Sequence, residues 1–396
     1  MKKCIIIGLS DNRECWFPPE VSECIALGTV FSGGRRHRKI MEHLLPDGSE
    51  WIDITVPLSA VFMQYERYDE IIVFASGDPL FYGFAVTIQR EVPEAEIKIY
   101  PSFNSLQTLA HKMLLPYHDM TVVSLTGRSW QKFDAALIRG CNLIGSLTDR
   151  HKTPLEIAKR MSDFGYDNYV MTIGECLGNE EFERISTMPV AEVVRKNFEA
   201  AVPNCIILRR TTARQRFFGI PENLFTLLDG RNKMITKAPI RLVTLMALNL
   251  AESHVFWDIG FCTGSVSIEA KLRFPELEVI GFEIREQCHE IIAENAQRFG
   301  APGIDVHIGD FLTADISSLP KPDAVFIGGH GGQLIEMVGK ILTVMEKGRI
   351  VINAVSDNSV RLFEEAASRF GLHIAESHRI ILDEHNPINI MRIDVS

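Results

Sequence analysis

The stretch Asp258-Ile-Gly-Phe-Cys-Thr-Gly-Ser265 is a glycine-marked turn that decides the fold of the second half of this chain. An apolar run at 254–260 leads into it, and the residues from Ser265 onward suit a helix. A second apolar run, 278–282, ends in the carboxylate of Glu283, 25 residues after Asp258. Strand, tight turn, helix, strand and acid in this order are typical of nucleotide-binding α/β domains, where the acid follows the turn by about 20 residues.

The residue types in this turn indicate the kind of ligand. Gly260 and Gly264 allow the backbone to approach a ligand closely, and the helix that opens at Ser265 offers free N–H groups. Glu283 can accept hydrogen bonds from ribose hydroxyls. Two cofactors fit such a site, a dinucleotide or S-adenosylmethionine with its carboxylate at the helix start. The turn resembles that of S-adenosylmethionine methyltransferases more closely, because Asp258 stands two residues before Gly260.

Length and composition exclude several classes of protein. With 396 residues, of which 46% are hydrophobic and 23% charged, the chain suits a soluble protein of two or three domains. The net charge of −10 argues against a nucleic-acid partner, and no apolar run approaches the roughly 18 residues that cross a membrane. None of the eight cysteines forms a Cys-x-x-Cys pair, so we expect no metal site and a cytoplasmic location.

A basic, polar stretch, Arg209-Arg-Thr-Thr-Ala-Arg-Gln-Arg216, separates two halves and lacks helical or strand periodicity. We predict domains at 1–210 and 217–396 with a linker at 211–216, and we expect the arginines of this stretch to be solvated. Short apolar runs alternate with amphipathic stretches in both halves, which predicts α/β folds throughout. The last two apolar runs, 378–382 and 388–395, predict a terminal antiparallel hairpin.

The first half has its own glycine-marked turn, Ser76-Gly-Asp-Pro-Leu-Phe-Tyr-Gly83, after an apolar run. Gly77 permits a tight turn, and we predict that Asp78 caps a helix in which Pro79 takes the first position. The basic cluster Arg35-Arg-His-Arg-Lys39 is interpreted as a solvated face, with contact to the carboxylates of a ligand as the alternative.

Ordered motifs along the chain together resemble two enzyme families. The first half resembles the tetrapyrrole methyltransferases, in the branch that acts on precorrin C5, through Ser76–Gly83, Ser124-Leu-Thr-Gly-Arg128, Leu147-Thr-Asp149 with Thr153-Pro154, and Gly174-Glu-Cys-Leu-Gly178. The second half resembles the C15-methylating and decarboxylating enzymes through Gly219-Ile-Pro-Glu222, Met234-Ile-Thr-Lys237, Asp258–Glu269 and Phe326-Ile-Gly-Gly-His-Gly-Gly332. The resemblance implies an N-terminal two-lobed tetrapyrrole methyltransferase fold and a C-terminal Rossmann-like S-adenosylmethionine methyltransferase domain.

The resemblance also implies the chemistry and the cofactor sites. The implied activity is methylation of precorrin-6Y, or its cobalt form, at C5 and C15, with decarboxylation of the ring-C acetate. One S-adenosylmethionine is implied for each half. The implied cofactor residues are Gly77, Asp78, Ser102, Asn104 and Ser105 in the first half, and Thr236, Asp258, Gly260, Thr263, Gly264, Ser265, Glu283, Asp310 and Phe311 in the second.

Two further residues are candidates for contact with the substrate. Lys237 is a candidate for binding a substrate carboxylate, with a solvated surface lysine as the alternative. His330 is a candidate acid or base, with a loop histidine of no catalytic role as the alternative. Asp258 has an equally weighted structural role, in orienting the turn through backbone hydrogen bonds. Cys262 stands where such turns usually have their middle glycine, which predicts a less free approach of the backbone to the cofactor.

Two other functions stay open from the sequence. The Rossmann-like half could belong to an RNA or protein methyltransferase whose first half is a recognition domain, or the chain could be a binding protein without catalysis. For the favoured function we expect a small tetrapyrrole as partner, no nucleic acid, no membrane, and self-association of the chain.

Overall fold

The computed structural model describes residues 2–12, 16–230, 234–382 and 387–396 and divides into two compact units. The first unit comprises Met1–Arg128, Asn142–Lys159 and Tyr169–Thr211, and the second comprises Ser129–Cys141, Arg160–Asn168 and Thr212–Ser396. The second unit therefore includes two segments that precede the linker predicted at 211–216. The domain limits expected from the sequence stay a prediction.

The first unit contains two five-stranded sheets. All strand pairs of the first sheet are parallel. Helices join its strands and the sheet is covered on both faces, as is usual for parallel sheets. Its strand order is β3-β2-β4-β1-β5. The strands are β1 (Lys3–Leu9), β2 (Val30–Gly33), β3 (Glu50–Asp53), β4 (Glu70–Ser76) and β5 (Glu96–Tyr100), and the helices are α1 (Pro19–Leu27), α2 (Arg35–Met41), α3 (Leu58–Tyr65), α4 (Phe84–Glu91) and α5 (Ser105–Lys112).

The second sheet of this unit is mixed, in the order β6-β7-β10-β8-β9, and only β6 and β7 run parallel. The first unit thus has one parallel and one mixed sheet, which is the two-lobed arrangement expected of the first half. The elements along this part of the chain are β6 (Thr121–Ser124), α6 (Gln131–Arg139), β7 (Leu143–Leu147), α7 (Pro154–Asp163), β8 (Tyr169–Glu175), β9 (Arg184–Pro189), α8 (Val190–Arg195) and β10 (Asn204–Arg210). Of these, α6 and the end of α7 belong to the second unit.

The second unit is built on a seven-stranded sheet, in the order β13-β12-β11-β14-β15-β17-β16. Its strands are β11 (Val255–Ile259), β12 (Glu278–Glu283), β13 (Ile304–Ile308), β14 (Ala324–Ile327), β15 (Gly348–Ala354), β16 (Ile374–Ile380) and β17 (Ile388–Val395). Its helices are α9 (Ala238–Leu248), α10 (Ser265–Arg273), α11 (Gln287–Phe299), α12 (Leu334–Leu342) and α13 (Asp357–Arg369), with short 3₁₀ turns at Glu222–Leu224 and Leu250–Glu252.

Neighbouring residues of β11 pack into separate cores on opposite faces of this sheet. Phe256 lies in one core and Trp257 in the other, as the two-residue period of a strand requires. The strands β11 to β15 are parallel, so their carboxyl ends share one edge. The strand order reverses between β11 and β14, and ligands of open α/β sheets bind at such a switch point. The predicted Rossmann-like domain is confirmed.

The chain closes with the antiparallel pair β16 and β17. The predicted terminal hairpin is thus confirmed in its two strands, while residues 383–386 between them lie outside the described residues. None of the helices in the described part of the chain is long and apolar enough to cross a membrane. Over the same residues no cluster of three or more His, Cys, Asp or Glu side chains suits a metal ion. The seven cysteines that the structure describes are free thiols.

Two arginines of the predicted linker, the half-buried Arg214 and the exposed Arg216, bind backbone carbonyls, so the expectation that these arginines are only solvated is corrected. Arg214 donates to the carbonyl oxygens of Phe164 at 2.6 Å and Arg298 at 2.7 Å, and Arg216 donates to that of Phe299 at 2.7 Å. Helix ends leave carbonyl oxygens without partners, and a planar guanidinium can satisfy several at once. Burial lowers the pKa of Arg214 from its ordinary value. These residues therefore hold segments of the second unit together.

Candidate functional site

The turn after β11 requires glycine at the two predicted positions. Gly260 has a φ of +78° and Gly264 a φ of +71°. A Cβ on Gly260 would lie 2.8 Å from the backbone nitrogen of Gly329, in the loop that follows β14. A Cβ on Gly264 would lie 2.3 Å from Cγ1 of Ile292. The loops after β11 and β14 therefore touch through their backbones at the switch point of the sheet.

Cys262 takes the left-handed conformation of the glycine that it replaces. Its φ is +51°, a conformation that costs a side-chain-bearing residue roughly 1–2 kcal/mol. The side chain is 9% exposed, packs in a small cluster with Cys288, and donates to the carbonyl of Met234 at 3.3 Å. Burial raises the pKa of the thiol, so the sulfur stays protonated. The side chain is thus held by the protein core, and its effect on cofactor binding stays a prediction.

Glu283, at the end of β12, is buried and already engaged by the protein. Its Oε2 accepts from the backbone N–H of Cys262 at 2.9 Å. Its Oε1 accepts from the backbone N–H of Arg285 at 3.1 Å and from Nη1 of the same residue at 3.0 Å. A carboxylate has about four acceptor positions, so one position on Oε2 is left for a ribose hydroxyl. Sequence reasoning missed Arg285, although a basic residue two positions after a predicted ribose-binding acid is a readable signal.

Asp258 is completely buried and serves the helix that follows the turn. Its Oδ2 accepts from the backbone N–H of Ser267 at 3.1 Å and from its hydroxyl at 2.6 Å. Its Oδ1 has no hydrogen-bond partner in the structure as described. Desolvation raises the pKa of Asp258 to about 7, against the lowering effect of the Ser267 hydrogen bonds. These contacts support the structural alternative for Asp258, which orients the start of α10.

Thr263 and Ser265 are buried on either side of Gly264. The buried amide of Asn295 donates to the carbonyl of Thr263 at 3.0 Å and also to that of Thr226 at 3.0 Å. The hydroxyl of Thr263 is buried without a partner among the described residues. Asn295 on α11 therefore holds the glycine turn through the carbonyl of Thr263. No motif in the sequence indicated this role.

Asp310 and Phe311 follow β13, beside the strand that ends in Glu283. The backbone N–H of Gly309 donates to the carbonyl of Glu283 at 2.8 Å, so the two strand ends meet. Oδ1 of Asp310 accepts from the backbone N–H of Leu312 at 2.9 Å, which leaves Oδ2 for other donors. The ring of Phe311 is only 3% exposed and packs edge-on against Phe282 at 5.1 Å between ring centroids. The ring of Phe311 is therefore held in the core, and its contact with the cofactor stays a prediction.

His330 lies in the glycine loop 328–332, after β14. The backbone N–H of Gly332 donates to its Nδ1 at 3.1 Å, so the ring hydrogen belongs on Nε2. Nε2 lies 3.1 Å from the hydroxyl oxygen of Ser359 on α13 and donates to it. Desolvation lowers the pKa of His330 below its ordinary value of 6.5, so the ring is neutral at pH 7.

Thr236 and Lys237 precede α9 and are positioned by a fully buried ion pair. Arg241 donates to the carbonyls of Thr236 and Ile220 and lies 3.3 Å from Glu269, and both charged side chains are at most 1% exposed. Glu269 also accepts from the backbone N–H of Ile220 at 2.9 Å. The pair joins the segment that carries Thr236 and Lys237 to α10, directly behind the glycine turn. Sequence reasoning gave this pair no role.

In the first unit the end of strand β1 lies against the loops that follow β4 and β5. A Cβ on Gly8 would lie 1.9 Å from the carbonyl oxygen of Gly77 and 2.7 Å from the backbone nitrogen of Ser102. Asn104 caps α5, accepting from the backbone N–H of Gln107 at 2.9 Å, and Ser105 is the first residue of that helix. The predicted cofactor residues of the first half therefore lie at neighbouring strand ends.

The predicted capping role of Asp78 is wrong. Helix α4 begins at Phe84 and is preceded by Gly83, not by Asp78 and Pro79. Oδ1 of Asp78 accepts from the backbone N–H of Leu80 at 2.9 Å, which closes a turn two residues on instead. Tyr82, with a φ of +55°, separates that turn from the helix. Helix α7, in contrast, begins at a proline, Pro154.

A glycine turn at a strand switch point and an acid at the next strand end are typical of the Rossmann-like domains that bind a dinucleotide or S-adenosylmethionine, and comparison with known proteins identifies the chain as a C-methyltransferase. A family model described as a precorrin methyltransferase domain matches residues 229–392. A probable cobalt-precorrin-6B C(15)-methyltransferase (decarboxylating) of Pyrobaculum calidifontis is 35% identical over 39% of this chain and 78% of its own. The chain belongs to the family of precorrin-6Y C5,15-methyltransferases (decarboxylating).

One further relative matches nearly the whole chain, and another matches about half of it. The precorrin-6Y C(5,15)-methyltransferase [decarboxylating] of a Sinorhizobium species is 29% identical over 92% of this chain and 88% of its own. The cobalt-precorrin-7 C(5)-methyltransferase of Salmonella typhimurium is 28% identical over 48% of this chain and 91% of its own. The relatives do not favour the alternative of an RNA or protein methyltransferase.

Proposed function

We propose that this chain methylates precorrin-6Y, or its cobalt counterpart, at C5 and C15 and removes the ring-C acetate carboxyl as carbon dioxide. The likeness to the Sinorhizobium enzyme over 92% of the chain carries this proposal, because a single-activity relative would match one half only. The glycine turn, Glu283 and the loop after β14 supply the cofactor geometry that the second methylation needs.

The chemistry needs alignment more than it needs a reactive side chain. In each transfer, the sulfonium methyl passes in line to a nucleophilic ring carbon, and S-adenosylhomocysteine leaves. In the decarboxylation, the bond from the acetate carbon to its carboxyl breaks, the electron pair enters the conjugated ring and one proton is taken up. Well-oriented reactants gain roughly 7–11 kcal/mol from positioning alone. The close approach of the Gly260 and Gly329 backbones fixes the two loops of the second site relative to each other, which helps to align the reactants.

We infer one S-adenosylmethionine site in each unit. Titration of the chain with S-adenosylhomocysteine is expected to give two bound molecules per chain. Glu283→Ala is expected to remove one site, since it deletes the acceptor for the ribose, and Asp78→Ala is expected to weaken the other. Arg139→Gln, which alters an exposed ion pair with Glu276, is a control for the loss of a surface charge. A single bound molecule in the wild-type chain would contradict the two-site proposal.

His330 and Lys237 are proposed to act on the substrate of the second site. The neutral His330 ring accepts from Gly332 at Nδ1 and donates to Ser359 from Nε2, so it acts on the substrate as a base or a donor when the substrate displaces one of these partners. His330→Asn is expected to slow C15 methylation and decarboxylation while C5 methylation continues. Lys237→Met is expected to raise the KM for the tetrapyrrole, and Lys237→Arg to restore it, if the lysine binds a carboxylate. Equal KM values for these variants and the wild type would exclude that role.

The direct test is mass spectrometry of products after incubation with S-adenosylmethionine and precorrin-6Y, or with the cobalt form. The expected product has gained two methyl groups and lost one carbon dioxide. In the Glu283→Ala chain the expected product has neither the C15 methyl group nor the decarboxylation. Absence of reaction with both rings would contradict the assignment of a corrin-ring substrate. The preferred ring identifies the natural form of the substrate.

Self-association, a cytoplasmic location and the absence of a nucleic-acid partner stay predictions. Sedimentation of the purified chain over a range of concentrations tests the first of these. A mass that equals one chain of 44.6 kDa at all concentrations would contradict self-association.

A further inference from the structure

Two side chains of the basic helix α2 converge on the last residue of β4. Nη2 of Arg36 lies 2.8 Å from the hydroxyl oxygen of Ser76, and Nε2 of His37 lies 2.9 Å from the same atom. Ser76 is exposed and directly precedes Gly77 and Asp78, which are predicted to contact the first cofactor. The cluster therefore lies at the carboxyl edge of the first sheet, where ligands of α/β folds bind.

The hydrogen positions follow from the donors around His37. The backbone N–H of Gly34 donates to Nδ1 at 3.3 Å, so the ring hydrogen is on Nε2, which faces both the Ser76 hydroxyl and the backbone of Phe74. Burial, and then the charge of Arg36, lower the pKa of His37 to about 4, which keeps the ring neutral at pH 7. Arg36 is a donor in every protonation state. The hydroxyl oxygen of Ser76 thus accepts two hydrogen bonds, which fills both of its lone pairs.

The hydrogen of the Ser76 hydroxyl is left for an acceptor outside the cluster. Neither the guanidinium of Arg36 nor the Nε2–H tautomer of His37 can accept this hydrogen. A hydroxyl that accepts from a guanidinium and an imidazole is polarised, and it donates more strongly than an isolated serine. The exposed cluster therefore presents a polarised O–H beside a permanent positive charge. A carboxylate oxygen is the acceptor that suits both.

One acid holds Arg36 in place at this strand end. Oδ1 of Asp11 lies 3.5 Å from Nε of Arg36 and holds the guanidinium with Nη2 toward Ser76. Asp78, two residues after Ser76, turns one oxygen toward the backbone of Leu80. Helix α2 carries four basic side chains, at positions 35, 36, 38 and 39, and of these Arg36 contacts Ser76. Arg36 therefore supplies the positive charge beside the Ser76 hydroxyl.

We propose that Arg36, His37 and Ser76 form a carboxylate-binding subsite of the first methyltransferase site. This inference rests on the proposed function, since that function supplies the ligands of the site. Two ligands carry the carboxylate chemistry, the amino-acid end of S-adenosylmethionine and the acidic side chains of the tetrapyrrole. The sequence favoured a solvated face for this helix, but Arg36 and His37 are committed to Ser76 and are not simply solvated.

The test uses four variants of the full chain. Ser76→Ala removes the donor hydroxyl, and Ser76→Thr keeps it as a conservative rescue. Arg36→Gln and Lys39→Gln each remove one positive charge from α2, but only Arg36 contacts Ser76, so Lys39→Gln is the matched control. For each variant we would measure the KM for the tetrapyrrole in C5 methylation and the affinity of both cofactor sites for S-adenosylhomocysteine. C15 methylation in the same chain reports whether the second unit is intact.

The subsite predicts a loss of about tenfold or more in Ser76→Ala and Arg36→Gln, as expected for a hydrogen bond to a charged group. A rise in the KM for the tetrapyrrole alone identifies a ring carboxylate, and a loss of affinity at one cofactor site alone identifies S-adenosylmethionine. Either result, with near-normal values for Ser76→Thr and Lys39→Gln, supports the subsite. If Ser76→Ala and Arg36→Gln match Lys39→Gln in both measurements, the subsite is excluded. A wild-type chain without C5 methylation would instead refute the proposed function.

Discussion

Replacing Asp258 by asparagine is expected to stabilise the chain more at pH 8 than at pH 5. The carboxylate is completely buried, and only its Oδ2 has partners, both on Ser267. An asparagine can keep these two hydrogen bonds through its carbonyl oxygen. It carries no charge, so it avoids the desolvation that raises the pKa of Asp258. The variant therefore isolates the free energy of burying the ionised form.

The pKa of Asp258 gives the size of this effect. It rises from an ordinary 3.8 to about 7 on folding, which corresponds to about 4 kcal/mol of folding free energy. Because the folded state holds the proton more tightly than the unfolded state, stability is lost as the pH rises from about 4 to about 7. About 2.6 kcal/mol of this loss falls between pH 5 and pH 8. The asparagine variant lacks it.

The assay is urea unfolding of wild type and Asp258→Asn at pH 5 and pH 8. Other groups titrate over this range in both chains, so the informative quantity is the change in the difference between them. We expect the variant to gain about 2–3 kcal/mol relative to the wild type on going from pH 5 to pH 8. A difference that is the same at both pH values would refute the reasoning, and a relative loss at pH 8 would reverse its sign. Ser267→Ala is the companion variant, which should raise the pKa of Asp258 further.

Three other perturbations test the second unit. Glu269→Gln is expected to lower the free energy of unfolding by about 3–5 kcal/mol, measured in urea, because it leaves the Arg241 guanidinium buried without the carboxylate it is paired with. Cys262→Gly is expected to change the affinity for S-adenosylhomocysteine, measured by calorimetry, by less than about threefold, since the thiol side chain is held in the core. Ser359→Ala is expected to slow C15 methylation at pH 7 without changing C5 methylation, because it removes the acceptor that orients His330.

Each of these has a result that contradicts it. If the double variant Glu269→Gln with Arg241→Met is no more stable than Glu269→Gln alone, the buried guanidinium is not the source of the loss. A tenfold gain in affinity for Cys262→Gly would mean that the side chain obstructs the cofactor. A Ser359→Ala chain that decarboxylates at the wild-type rate would show that the orientation of His330 is irrelevant to the second site.

The strand, turn and helix that form the second site could be predicted from the sequence. The hydrogen-bond partners of its side chains could not. Gly260, Gly264 and Glu283 could be predicted because their spacing reflects a local strand, turn and helix. The engagement of Glu283 by Arg285 and the capture of the turn by Asn295 depend on which rotamers and helix faces meet after folding. Asp78 shows the same limit at short range, since an aspartate before proline suits a helix cap and a closed turn equally well. Phe311 follows β13, but its ring is buried in the core, which no pattern in the sequence indicated, and its cofactor contact stays a prediction.

The near-contact of Gly8 with the turn after β4 bears on how genetic data for this chain should be interpreted. Any side chain at position 8 would collide with the backbone of Gly77, and no rotamer can relieve a collision at Cβ. In a scan of all single substitutions, this position is expected to tolerate nothing but glycine. Such a profile is usually taken as the mark of a residue that touches substrate. At position 8, the profile would reflect only the short distance between strand β1 and the turn after β4. Substitution scans of this chain therefore cannot by themselves define the active site.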